Sequence, residues 1–120
     1  ALSHDQTKLA SADVRDVCVW SLEDGIYSSI VGKSRWCFHT QRITCLSWSA
    51  DDTVLATGGA DDSIYLWSLA NKTKRLHYNF AHRGGVTGIA FLKGFKLLSV
   101  GVDACVNQWD MADDVAKKFA

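Results

Sequence analysis

Three times along this chain an apolar strand runs into a tryptophan. The three runs read LASADVRDVCVW to Trp20, LATGGADDSIYLW to Trp67 and LLSVGVDACVNQW to Trp109, so the tryptophans lie 47 and 42 residues apart. Ahead of the second and third runs stands a stretch that holds a histidine, FHTQRITCLSW from Phe38 and AHRGGVTGIAF from Ala81. A period in the forties built from short alternating strands is the mark of a propeller or array of small sheets. Such a repeat constrains the fold more than any single motif, because one unit cannot bury its own faces.

The strands follow from alternation of apolar and polar residues between turn residues. In the second copy they are Ile43–Trp48, Val54–Thr57, Ser63–Ser68 and Arg75–Phe80, with turns at 49–52 and 58–62 and a break at 71–74. In the third they are Val86–Leu92, Lys96–Val100 and Cys105–Trp109. A fourth would be the weak run Val115–Phe119, which after Asp113 and Asp114 could instead form one helical turn, though it is too short to stand as a helix alone. The first copy is cut short: Leu2 aligns with the end of an inner strand, and Lys8–Ser11 and Val17–Leu22 follow. A long connector then leads to Arg35–His39.

The expected fold is therefore all-β, about two and a half antiparallel four-stranded blades of a β-propeller. The boundaries are 1–39 for a partial repeat and connector, 38–79 for a full repeat, and 80–120 for a repeat with a tail. A ring of such blades closes with about four to eight. The exposed faces must then be covered by the rest of a parent propeller or by self-association. Met111 is the single methionine and Ala1 is no start residue, so the chain reads as part of something longer.

Thirteen basic residues balance thirteen acidic ones, which argues against a general nucleic-acid binder. No apolar run approaches the ~20 residues of a membrane helix. Cys18, Cys37, Cys45 and Cys105 form no CxxC pair and read as reduced core thiols of a cytosolic protein. The set Cys37, His39 and Cys45 has the wrong spacing for a zinc finger. Neither metal nor cofactor is expected. Gly58-Gly59 and Gly84-Gly85 read as tight turns, and Asp51-Asp52 and Asp61-Asp62 as turn acids that are solvated or bonded to their own backbone, not as a metal site.

Polar residues recur at fixed places among the apolar ones. They are His39, Thr57, Asp61 and Trp67 in the second copy, and His82, Ser99, Asp103 and Trp109 in the third. An indole N–H, a hydroxyl, an imidazole and a carboxylate form a chain of complementary donors and acceptors. A hydrolase also uses Ser, His and Asp, but needs an exposed hydroxyl and an oxyanion hole. Here the trio occurs twice, each time tied to a tryptophan and without a G-x-S-x-G elbow, so no enzyme is expected.

This His…Ser/Thr…Asp…Trp pattern resembles the WD40 repeat, in which the four residues form a structural tetrad. The resemblance implies that role for the eight residues just named. Departures are visible: Phe38 and Ala81 stand where glycine is usual before the histidine, and only Trp109 is followed by Asp. The first copy keeps Ser11 and Trp20, but Asp13 is out of register. Within the family, the stretches FHTQRITCLSWSADDTVLATGGADDSIYLW and LLSVGVDACVNQW, and the GVTGIAFL that follows Ala81-His82, resemble the C-terminal propeller of the actin-interacting protein 1 group. That resemblance implies binding to actin filaments decorated with ADF/cofilin, promotion of their disassembly, and a cytoplasmic, cytoskeletal setting. The alternative is a generic WD40 scaffold subunit of another multiprotein complex.

Propellers meet partners through loops at one end, which here are Thr40–Arg42, Gly59–Asp62, Arg83–Gly85 and Val102. Candidate contacts on this rim are Gln41, Arg42, Asp62 and Arg83. Arg42 and Arg83 are expected at equivalent positions of two successive blades, facing an acidic partner such as actin. Arg15 and Lys33–Arg35, in other turns, are weaker candidates.

Overall fold

The computed structural model describes residues 1–23 and 25–119. It contains three antiparallel sheets. The first holds β1 (Lys8–Ala12), β2 (Val17–Glu23) and β3 (Ile26–Trp36), with Leu2 bridged to Leu9 on the inner side. The second holds β4 (Ile43–Trp48), β5 (Val54–Gly59), β6 (Ile64–Ser68) and β7 (Arg75–Tyr78), hydrogen-bonded in that order. The third holds β8 (Val86–Leu92), β9 (Lys96–Gly101) and β10 (Val106–Asp110), and α1 (Ala112–Lys118) follows it.

Two stretches differ from the sequence expectation. The presumed connector of the first copy is mostly strand: β3 pairs along β2 from Glu23↔Ile26 to Val17↔Trp36. Its Ser28, Ser29 and Gly32 interrupt the apolar alternation that marks a strand, and the shifts between Val17, Val19 and Trp20 break its period. Arg35 consequently sits in a strand, not a turn. At the other end, Val115–Lys118 belongs to α1, and the third sheet has no fourth strand among the described residues. Asp113 and Asp114 in the first turn and Lys117 and Lys118 in the last complement the helix dipole. Val115 is buried against the second blade, and Tyr78 donates its phenolic hydrogen to Asp114 at 2.6 Å.

Packing between sheets makes the core, in two clusters. One lies between the first and second blades around Val17, Val19, Trp36, Leu55 and Trp67. The other lies between the second and third around Val54, Ile64, Leu66, Val86, Leu97 and Met111. Polar bonds pin the same seams. Ile43 N–H reaches the Val14 carbonyl at 2.8 Å, and the Trp36 indole reaches the Lys72 carbonyl at 3.0 Å. Across the other seam the Thr44 hydroxyl donates to the Val86 carbonyl, and Phe91 N–H to the Ser47 hydroxyl at 3.2 Å.

Three further expectations need correction. Gly58 and Gly59 are not a turn but the end of β5. A Cβ on Gly58 would lie 2.7 Å from Cys45 Sγ and from Val86 Cγ1, so this glycine lets the third blade close on the second. Asp52 is neither solvated nor bonded to its own backbone. It is buried, accepts the His4 and Asp5 N–H groups at 3.0 Å each, and meets His4 Nδ1 at 2.8 Å, clamping the first blade to the second. Lastly, Cys37 and Cys105 are exposed and only Cys18 and Cys45 are half-buried, so the thiols are not all in the core. Burial pushes the Cys45 thiol up, against the bonds from Thr44 and Gly58 that favour thiolate.

Candidate functional site

The paired strands bring the polar motif residues together. In the second blade Trp67 Nε1–H donates to Thr57 Oγ1 at 3.0 Å, and Thr57 Oγ1 lies 2.8 Å from His39 Nε2. His39 Nδ1 lies 3.1 and 3.0 Å from the two Asp61 oxygens. The Asp61 carboxylate can only accept, which puts the hydrogen of the neutral His39 ring on Nδ1; Nε2 is then the acceptor of the Thr57 hydroxyl hydrogen, while Thr57 Oγ1 accepts from the indole. His39 Nδ1–H then donates to Asp61. The carboxylate also accepts Thr40 N–H at 2.8 Å and Ser63 N–H at 3.2 Å. His39 and Thr57 are buried, and burial pushes the His39 imidazole down, against the opposing pull of Asp61.

The third blade repeats the geometry. Trp109 donates to Ser99 at 2.9 Å, Ser99 Oγ lies 2.8 Å from His82 Nε2, and His82 Nδ1 lies 2.9 Å from Asp103. Arg83 and Cys105 N–H groups complete Asp103 at 3.2 and 3.1 Å. The bond from His82, with those two N–H groups, holds the Asp103 carboxyl below its ordinary range. In the first blade, among the described residues, only the link from tryptophan to hydroxyl is made, Trp20 to Ser11 at 3.1 Å. Asp13 instead accepts from Val14 N–H, next to it in the chain.

Two glycines, one of them expected only in a turn, belong to this network. A Cβ on Gly59 would fall 2.7 Å from His39 Nδ1 and from Asp61 Oδ1, and one on Gly101 would fall 2.5 Å from His82 Cβ and Cγ. Each stands two residues after the hydroxyl of its blade, at Thr57 and Ser99, and leaves room for the imidazole. The signal was present as T-G-G and S-V-G, and the first copy lacks it because Asp13 fills that place.

Loops at one end of the sheets carry the other candidates. Gln41, Arg42 and Arg83 are exposed, and Asp62 is half-buried. Arg42 and Arg83 share this end but are not equivalent. Arg83 takes the place of Thr40, since both give their N–H to the aspartate of the network. The counterpart of Arg42 is Gly85: Ala60 N–H bonds the Arg42 carbonyl at 2.8 Å, and Val102 N–H the Gly85 carbonyl at 3.1 Å. Asp62 uses its carbonyl to hold Ala81 N–H at 2.8 Å. Gly85, at φ +114°, has no room for a side chain, because a Cβ would come within 3.1 Å of Ala60 Cα. Between the second and third blades the rim thus varies while the network beneath it does not. Among the described residues, no helix is long and apolar enough to cross a membrane.

Comparison with known proteins adds to this geometry. The family model described as "WD domain, G-beta repeat" matches residues 32–68 and 73–110, together more than half of the chain. The chain is 32% identical over 110 residues to the "66 kDa stress protein" of Physarum polycephalum, which covers 91% of it. It is 35% identical over 114 residues to "WD repeat-containing protein 1" of Bos taurus, covering 93%. It is 34% identical over 109 residues to "Actin-interacting protein 1-2" of Arabidopsis thaliana, covering 89%. The chain spans only 18%, 18% and 17% of these relatives. Among solved structures, the WD40 repeats of RRP9 superpose on 94% of the chain with a TM-score of 0.78 at 25% identity, covering 34% of that chain. The U3-55K structure gives 0.77 at 27% identity, over 94% of this chain and 35% of that one. Matched in its repeats and in its blades alike, this chain belongs to the WD40-repeat family of protein-interaction modules.

Proposed function

We propose that the chain is part of an actin-interacting protein 1-like propeller that binds actin filaments decorated with ADF/cofilin and promotes their disassembly, in the cytoskeleton of the cytoplasm. The observation that carries this reading is the similarity to an actin-interacting relative over 89% of the chain. His39, Thr57, Asp61, Trp67, His82, Ser99, Asp103 and Trp109 act in it as scaffold, each network fixing the loops above it. Buried hydrogen-bonded groups of this kind hold geometry and leave no hydroxyl free to react. Recognition falls to the exposed loops, with Arg42 and Arg83 meeting an acidic surface and Gln41 and Asp62 at its margin.

Co-sedimentation of the intact protein with actin filaments, with and without cofilin, tests the reading. Cofilin-dependent pelleting with loss of filament mass is expected, weakened when Arg42→Glu and Arg83→Glu are combined in a folded protein. No pelleting in either condition overturns the actin reading and leaves a WD40 scaffold subunit of another assembly. Unchanged pelleting by the double variant moves the contact away from these two arginines.

A further inference from the structure

Away from the rim, the seam between the first and second blades opens outward as a cleft of about 410 Å³. Its walls are Trp36, Phe38 and Trp67, and its mouth carries Arg35, Lys72 and Arg75. The aromatic wall is one packed unit. Trp36 stacks on Trp67 at 5.0 Å and 18°, and Phe38 leans on Trp67 at 6.1 Å. Both indole N–H groups are already committed, Trp36 to the Lys72 carbonyl and Trp67 to Thr57. The indoles are themselves about 1% exposed, so the apolar surface open to an occupant is that of Phe38, which is 42% exposed.

The mouth is cationic and uncompensated. No acidic side chain lines the cleft, and none of the ion pairs among the described residues involves Arg35, Lys72 or Arg75. Arg75 is fixed by resting its guanidinium carbon 3.6 Å above the Phe38 ring, with its edge left for another partner. A second hollow of about 310 Å³ continues from Thr73 and Arg75 and adds Lys74, His77 and Lys118 to the lining. In a chain of zero net charge this is a local concentration of positive charge around an apolar slot.

We infer that this cleft docks an acidic segment of a partner protein, with one large apolar side chain resting on the exposed part of Phe38 beside the packed Trp36–Trp67 pair. Carboxylates on either side of it pair with Arg35, Lys72 and Arg75. Guanidinium forks match carboxylates in two-point geometry, and an apolar anchor ringed by charge is the usual make-up of a binding hot spot. Single-stranded nucleic acid fits less well, because bases need open aromatic faces. Here both indoles are about 1% exposed and Arg75 covers one face of Phe38.

The test is fluorescence anisotropy on the full-length protein at low salt with a labelled heptapeptide of Asp and Glu around a central Phe. Comparison probes are the same peptide with central Ala and a labelled uridine decamer. Saturable binding of the Phe peptide is expected, about tenfold weaker with Ala, and about tenfold weaker for Arg35→Glu combined with Arg75→Glu. Lys72→Glu serves alongside, should the double variant lose its fold. Reversal of Arg42 and Arg83 should leave this binding unchanged, which separates the cleft from the rim. Absence of binding, equal binding of the Ala peptide, indifference to charge reversal, or tighter binding of the uridine decamer overturns the inference.

Discussion

The second and third blades carry the same four-residue network, with matching bonds that differ by no more than 0.2 Å. Their surroundings nonetheless differ. Every residue of β5 and β6 is buried, whereas β9 and β10 mix exposed residues with buried or half-buried ones. The Asp61 side chain is 5% exposed and that of Asp103 is 20%. Trp67 lies under Trp36 from the outer strand of the preceding blade, and Trp109 meets Tyr78 from the same strand position one blade later, tilted at 5.7 Å. The lesson is a division of labour. Each blade's own sequence makes its hydrogen bonds, and its neighbours decide how dry those bonds are.

Removing the hydroxyls should therefore separate the blades most strongly. Thr57→Val strands the Trp67 indole N–H and the His39 Nε2, both buried, at about 1–3 kcal/mol each. A loss of roughly 2–4 kcal/mol in urea denaturation of the intact protein is expected. Ser99→Ala should cost about half of that, since water can reach the half-buried Trp109. Equal losses would break the comparison.

Filling the glycines probes the network by crowding its atoms while deleting none of its polar groups. Gly59→Ala and Gly101→Ala should each cost about 1–3 kcal/mol through overpacking. Here the order should reverse, because the clash at Gly101 falls on His82 Cβ, next to the backbone, and that at Gly59 on side-chain atoms able to rotate. Thermal unfolding of the two variants checks that order.

Lowering the pH gives a smaller effect with a fixed sign. Burial keeps His39 from taking a proton in the folded state, while the unfolded chain takes one near its ordinary value of about 6.5. Stability from this residue is thus complete above about pH 6.5 and lost as the pH falls from there toward the lowered folded value. Denaturation between about pH 7.5 and 5 should show the loss, and His39→Gln should flatten it. Smallest of all, Arg42→Glu and Arg83→Glu should each change stability by no more than about 0.5 kcal/mol, since both side chains are exposed.

Much of this was legible in the sequence, because short-range chemistry writes itself into spacing. Ten residues from hydroxyl to tryptophan, as from Thr57 to Trp67, is the length that hairpin pairing of β5 with β6 requires. Contacts between blades left weaker traces. The strand character of β3 was hidden by its serines and glycine, and the role of Asp52 by its resemblance to any turn acid. Trp36, which covers Trp67, stood outside the repeat pattern altogether. The mismatch between Arg42 and Arg83 came from matching residue type in place of backbone position, which counting from each histidine corrects.

The account turns on the proton arrangement inside the second blade, and one spectrum reads it. Long-range ¹H–¹⁵N correlation on the intact protein with ¹⁵N-labelled histidine, at about pH 7.5, reports which ring nitrogen of His39 is protonated. A neutral ring with hydrogen on Nδ1 and a lone pair on Nε2 is predicted, as the order Trp67 to Thr57 to His39 to Asp61 demands. A proton on Nε2, alone or in an imidazolium, would contradict that order and return the Thr57 hydroxyl to the list of groups free to react.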